Sequence, residues 1–219
     1  VNKLKFGFLA LSACFLLVAC SANPTSVADQ VQEAGHQATQ EINSIQLQEG
    51  QLNQAFAQDI AEDDSLKRLA SNRGATQANL SDRQDDLDQL AKALKTLKSQ
   101  GEKLQASMDQ VQSDDETVIK QRQHFEAILP LIDQIVPTLE SYINNYQALL
   151  DQEESFYKSL SKKDADYQTF NQGMSDINQN HQKLQDQLQS LVEPLEQLNQ
   201  LPSLNQEKDK NGGEQDAPA

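Results

Sequence analysis

The chain has 219 residues, with 33 acidic side chains against 18 Lys and Arg, a formal net charge of −15, 5% aromatic residues and no Trp. That sign excludes nucleic acid as a partner, because clustered Lys and Arg are needed to displace counterions from phosphates. It argues equally against a body held on an anionic membrane surface by charge alone.

The first predicted element is an export signal over residues 1–19. Lys3 and Lys5 form a basic start, Phe6 to Val18 is apolar, and small residues close the segment. The apolar stretch is too short for a permanent span, since a hydrocarbon core of about 30 Å needs roughly 20 helical residues. Leu17-Val18-Ala19-Cys20 matches the lipobox of bacterial lipoproteins. The match predicts cleavage between Ala19 and Cys20 and a diacylglyceryl thioether on Cys20, the new N-terminus. The alternative is a plain secretory signal in which Ala19 is the small residue at the cut and Cys20 is ordinary. Cys14 leaves with the signal in either case, so the mature chain has one cysteine and no disulfide. Loss of Lys3 and Lys5 takes the net charge from −15 to −17. The membrane is then reached through lipid, each buried methylene contributing about 0.8 kcal/mol.

Residues 20–26 form the lipidated terminus and a short polar spacer containing Pro24, and residues 27–201 read as a helical bundle. Apolar residues recur at three and four, and no alternating strand pattern is present. The first helix, from Val27 to about Leu69, has a thin stripe of Ile42, Ile45, Leu52, Phe56, Ile60 and Leu66, interrupted by Glu49 and Asp59. Its packing is expected to be loose. Ser26 is placed as its cap, and Asn72-Arg73-Gly74 as a left-handed stop.

A heptad seam follows in Leu87, Leu90, Leu94, Leu97, Gly101, Leu104, Met108 and Val111, with a gap at Gly101. The richest segment carries Phe125, Leu129, Ile132, Val136, Leu139, Ile143, Tyr146, Leu150, Glu153, Tyr157 and Leu160. A second column runs through Ile128, Ile135, Tyr142, Leu149 and Phe156. Three apolar positions per heptad require at least two neighbours. Ser161 to Asp164 marks a turn, and a last seam runs from Phe170 through Met174, Ile177, His181, Leu184, Leu188, Leu191 and Leu195 to Leu198. Between the two middle seams the pattern allows a turn near residue 114, where Ser113-Asp114-Asp115-Glu116 reads as a capping box. It also allows a longer helix broken near Pro130 or Pro137. Pro202 ends the last helix, and residues 202–219 read as a disordered acidic tail. The fold class is therefore all-α: an elongated antiparallel three- or four-helix bundle with coiled-coil heptads.

Chemical motifs are sparse. Glu33 and His36 have the Glu-x-x-His spacing of a bundle metal site, but such a site needs the motif twice plus two further carboxylates. Asp82, Asp85, Asp86 and Asp88 lack the ligand pattern and glycine of a calcium loop. A solvated helix face accounts for both groups, so neither a metal nor another cofactor is expected. No phosphate-binding glycine loop, nucleophile elbow or zinc-protease motif occurs, and no catalytic residue is assigned. Arg83, Asp115, Arg122, Glu153 and His181 fall at seam positions. Such residues either select partner and register or lie at a seam's wet edge.

The lipobox Leu17 to Cys20, the segment Gln152-Glu153-Glu154-Ser155-Phe156-Tyr157-Lys158-Ser159-Leu160 and the heptads before it resemble the YkyA-like putative cell-wall-binding lipoproteins of Gram-positive bacteria. The resemblance implies an all-helical body at the cell surface, with no catalytic residues to carry over. The expected function is that of a non-enzymatic surface lipoprotein, held at the outer face of the membrane and contacting the cell wall or an envelope protein. The alternative is an extracytoplasmic holdase or assembly factor with an exposed apolar groove beside Ile128, Ile135 and Tyr142. Self-association through the thin first helix is a further option, the oligomeric state being open.

Overall fold

A computed structural model of the chain describes residues 24–63, 66–108 and 115–203. The expected export signal, the lipobox residues Leu17, Val18, Ala19 and Cys20, and the tail beyond Ser203 lie outside the described residues. Four long helices follow one another: α1 (Pro24–Glu62), α2 (Ala75–Met108), α3 (Glu116–Leu160) and α4 (Tyr167–Gln200), with one 3-10 turn at Lys67–Ala70. There is no strand among the described residues.

Hydrogen bonds fix the antiparallel sense of neighbouring helices. The Ser44 hydroxyl donates to Asp86 at 2.7 Å, while the Asn79 amide reaches the Gln48 carbonyl at 2.8 Å, pairing α1 with α2 head to tail. Across α4 and α1, Gln32 donates to the Leu201 carbonyl at 2.7 Å and His181 faces Glu49. Each helix thus packs on its neighbours in the chain, and α4 closes the ring against α1. The core inside that ring contains the predicted seams: Leu87, Leu90, Leu97 and Leu104 of α2, Ile128, Ile135, Tyr142 and Leu149 of α3, and Leu184, Leu191 and Leu198 of α4 are buried.

Gly101, the expected gap, is filled from outside its own helix. A Cβ there would stand 3.0 Å from Ile132 Cγ2, so the missing side chain lets α2 and α3 approach closely. The first helix departs from expectation. Val27, Ala28, Val31, Ala34, Ala38, Ile42 and Ile45 are all buried, so its N-terminal half is tightly packed through small residues. Its stripe faces the interior of the bundle. The helix starts at Pro24, a residue whose fixed φ suits a first turn, so Ser26 lies inside that turn and accepts from Gln30 at 3.2 Å.

The end of α1 also differs. The helix stops at Glu62, and the left-handed residue is Leu66 (φ 60); no described glycine has positive φ. Gly74 is required for space instead, because a Cβ would lie 2.2 Å from the Arg68 carbonyl oxygen and 2.8 Å from Asp59 Oδ2. The middle break falls between Met108 and Glu116, not at Pro130. Asp115 caps α3 by accepting from the Thr117 N–H at 2.8 Å. Pro130 and Pro137 lie within α3, a heptad apart and exposed. On that wet face water satisfies the carbonyls each proline leaves without a donor, so the helix continues.

Candidate functional site

Of the five polar seam residues, the fold brings three together. Arg83 on α2 and Glu153 on α3 have fully buried side chains joined by a two-pronged contact, one arm of which is Arg83 Nη1 to Glu153 Oε1 at 3.2 Å. The second arm links Nη2 to Oε2. Arg83 also donates to the Tyr146 hydroxyl at 3.3 Å and, through Nε, to Asn79 Oδ1 at 3.0 Å. His181 on α4 sets Nε2 3.3 Å from Glu153 Oε1 and Nδ1 3.4 Å from Glu49 Oε1 on α1. All four helices therefore meet in one network, whose formal charges cancel when the imidazole is protonated.

The geometry favours that protonation. Both ring nitrogens face carboxylate oxygens, and only an imidazolium donates from both. Hydrogen bonds to Glu153 and Glu49 outweigh burial and raise the His181 pKa to about 9. Burial alone would push Glu153 up, but its bonds to His181 and Arg83 prevail and hold it below the usual carboxylate range. Burial raises Tyr142, Tyr146 and Tyr157 well above an ordinary phenol. An ion pair so deep gains little net stability over an apolar isostere, yet any register that separates its members strands a charge in the core. The arrangement selects one helix register and offers no free nucleophile or base.

A second buried acid acts in the same spirit. Asp59, near the C-terminus of α1, is 0% exposed and accepts from the N–H groups of Ala75 and Thr76, both at 2.8 Å, capping α2 from another helix. Burial opposes its ionisation, but these two N–H bonds keep its pKa below the normal value. Arg68 stands 3.5 Å away and binds Glu62 at 2.6 Å. Asp59→Ala is expected to cost about 1–3 kcal/mol, since two N–H groups lose their acceptor. Urea unfolding measures this, and an unchanged midpoint would contradict it.

The other candidates stay apart. Asp115 is the α3 cap, and Arg122 is exposed, pairing with Glu126 at 3.0 Å one turn on. Glu33, His36, Asp82, Asp85 and Asp88 are exposed, and Asp86 accepts from Ser44. Among the described residues no group of three His, Cys, Asp or Glu is placed to hold a metal. Ile128, Ile135 and Tyr142, expected to flank an open groove, are buried in the core. A groove does open between α2 and α3, but its lining is mixed, with Lys98, Glu102 and Asp133 beside Leu129, Ile132 and Val136. Sequence reasoning missed Glu49, Asp59, Asn79 and Tyr146 as members of these polar sites. The one available signal was that Glu49 and Asp59 interrupt an apolar stripe.

Compared with models of protein families, residues 23–207 match the family YkyA, described as "Putative cell-wall binding lipoprotein". No curated protein and no solved structure matches the chain.

Proposed function

The chain belongs to the YkyA family, described as putative cell-wall binding lipoproteins, and from that premise we propose a non-enzymatic role for it at the outer face of the cell membrane. Cys20 carries the lipid, the export signal is cut between Ala19 and Cys20, and the helical bundle contacts the wall in the space beyond the membrane. The observation that carries the non-enzymatic part is the network of Arg83, Glu153, His181 and Glu49. Arg83 and Glu153 are buried, His181 and Glu49 are half-buried, and the four pair with one another and hold helices together, leaving none poised toward a substrate. The spacing of Leu17, Val18, Ala19 and Cys20 supports the anchor.

Two experiments test the reading. The body lacking residues 1–20, incubated with purified walls and separately with membrane extract, is expected to sediment with walls; retention on neither would overturn wall contact. Cys20→Ser in the full chain is expected to move most of the protein from the membrane fraction to the medium, because position 20 then has no thiol to carry the thioether and each lost acyl methylene removes about 0.8 kcal/mol of anchoring. An unchanged membrane fraction would contradict the anchor.

A further inference from the structure

We infer that the face formed by α1 and α4 pairs with the same face of a second copy of this chain, giving a two-fold dimer. The pairing goes beyond the role proposed above and does not depend on it; only the parallel sense of the two copies follows from anchorage of both at Cys20.

Leu47, Tyr167, Met174 and Val192 are 63%, 79%, 36% and 52% exposed, and among the described residues the one other large apolar side chain so exposed is Ile119. Three of the four share a flank of α4. Tyr167, Met174, His181, Val192 and Asn199 follow at spacings of seven, seven, eleven and seven residues, each close to a whole number of turns, so they stand in one row. Two members of that row touch α1: His181 faces Glu49, and the Asn199 amide donates to the Thr39 hydroxyl at 3.0 Å. The row therefore runs along the border with α1, and its apolar members are exposed beside that helix. Burial is thin toward the Tyr167 end. Past Ile45 the only buried residue of α1 is Asp59, and α4 buries nothing before Ile177, leaving Leu52, Phe56 and Phe170 half-buried.

Charge is missing over the same surface. From Asn43 to Ala61 the charged residues of α1 are Glu49, held by His181, and Asp59, whose side chain is 0% exposed. On α4 the exposed positions beside the row include Asn171, Asn178, Gln182, Gln185 and Gln189. The exposed sides of the other helices carry charge, with Asp85, Lys92 and Lys95 on α2 and Asp133, Glu140 and Glu154 on α3. Depletion of charge around Met, Tyr and aliphatic side chains is the composition of an interface core.

Three observations commit this face to a second copy. With a net charge of −15, two copies repel wherever their charged sides meet, and this face lets them approach without setting like charges opposite each other. Asn and Gln both donate and accept, so an amide surface is complementary to itself across a two-fold axis. The bundle already joins its own helices in this way: Gln84 of α2 and Gln147 of α3 exchange hydrogen bonds at 2.9 Å in both directions, and Asn145 of α3 donates to Gln187 of α4 at 3.1 Å. The area also suffices. From Tyr167 to Val192 the row is about 37 Å long and two helices are about 20 Å wide, so pairing covers roughly 700 Å² per copy, near the roughly 800 Å² of a standard interface. Copies anchored at the same end stand parallel, with α1 of each on α4 of the other. Leu47 precedes Glu49, the partner of His181, and so falls between Met174 and Val192 of the facing copy.

The test uses the full-length chain purified in detergent, its mass read by sedimentation equilibrium at matched detergent density. Wild type is expected at twice the chain mass at micromolar concentration. Leu47→Glu combined with Val192→Glu sets like charges opposite each other and is expected to weaken pairing at least about tenfold. Ile119→Glu, at the exposed apolar residue outside the face, is expected to leave pairing unchanged. A photo-crosslinking residue at Met174 of the full-length chain in cells gives a readout that needs no disruptive change: it is expected to join two copies through α1 of the second. A monomeric wild type, equal weakening by Ile119→Glu, or a Met174 crosslink to a different polypeptide would overturn the inference and leave the wall-contact reading standing.

Discussion

Glu153→Gln is expected to lower the unfolding free energy by about 3–5 kcal/mol, the cost of leaving a buried guanidinium without its counter-charge. In the native chain Glu153 serves two cations at once, Arg83 with both oxygens and His181 with one. Removing its charge strands Arg83, whose side chain is 0% exposed, and frees His181 from the stronger of its two partners. For a chain of this size the loss corresponds to roughly 10 °C in Tm. Arg83→Met combined with Glu153→Leu should recover most of it, because matched apolar groups replace an ion pair with little net change. Chemical unfolding of Arg83→Met, Glu153→Leu and the double mutant measures the coupling. A Glu153→Gln variant within 1 kcal/mol of wild type would show that the pair does not constrain the core.

Stability is expected to fall by up to about 3 kcal/mol between pH 6.5 and pH 9, with His181 as the source. Its folded pKa, about 9, lies above the 6.5 of a free imidazole, so the contribution is complete below 6.5 and disappears as pH rises through 9. The groups facing the ring are Glu49 from α1, Arg83 from α2 through the shared carboxylate, and Glu153 from α3. On the acid side the sign reverses. Glu153 and Asp59 have lowered folded pKa values, so their contributions are present above the ordinary carboxylate range and lost on acidification. The stability plateau should therefore sit between about pH 5 and 6.5. Denaturation midpoints measured across pH 5–9.5 for wild type and His181→Gln check the alkaline limb, which the variant should flatten. An equal alkaline loss in both proteins would assign it elsewhere.

The seams were legible because each is written in one helix. Leu87 to Leu104 and Ile177 to Leu198 repeat at three and four, and the fold buries most of those positions. What joins different helices was not legible. Arg83, Glu153 and His181 could be picked out as polar residues on apolar stripes, but their convergence depends on how far each helix slides along the next, which periodicity does not encode. Asp59 looked like a flaw in a stripe because its partners, the N–H groups of Ala75 and Thr76, lie beyond a reversal of the chain. The first helix looked thin because Ala28, Ala34 and Ala38 count for little in a hydrophobic pattern and yet permit close packing. The middle break stayed open because a proline's effect depends on the face it occupies. Pro130 and Pro137 are exposed, and α3 runs through both.

These features give the proposed role a physical form. A body that spans the gap between membrane and wall gains from a single stiff register, and the network secures it with charges from all four helices. No helix among the described residues is long and apolar enough to cross a membrane.

The most direct test of the account is the mass of the N-terminal peptide of the native protein recovered from cells. That peptide is expected to begin at Cys20, to carry a diacylglyceryl thioether and to be found in the membrane fraction. A peptide starting elsewhere, or an unmodified Cys20 on protein free in the medium, would contradict it.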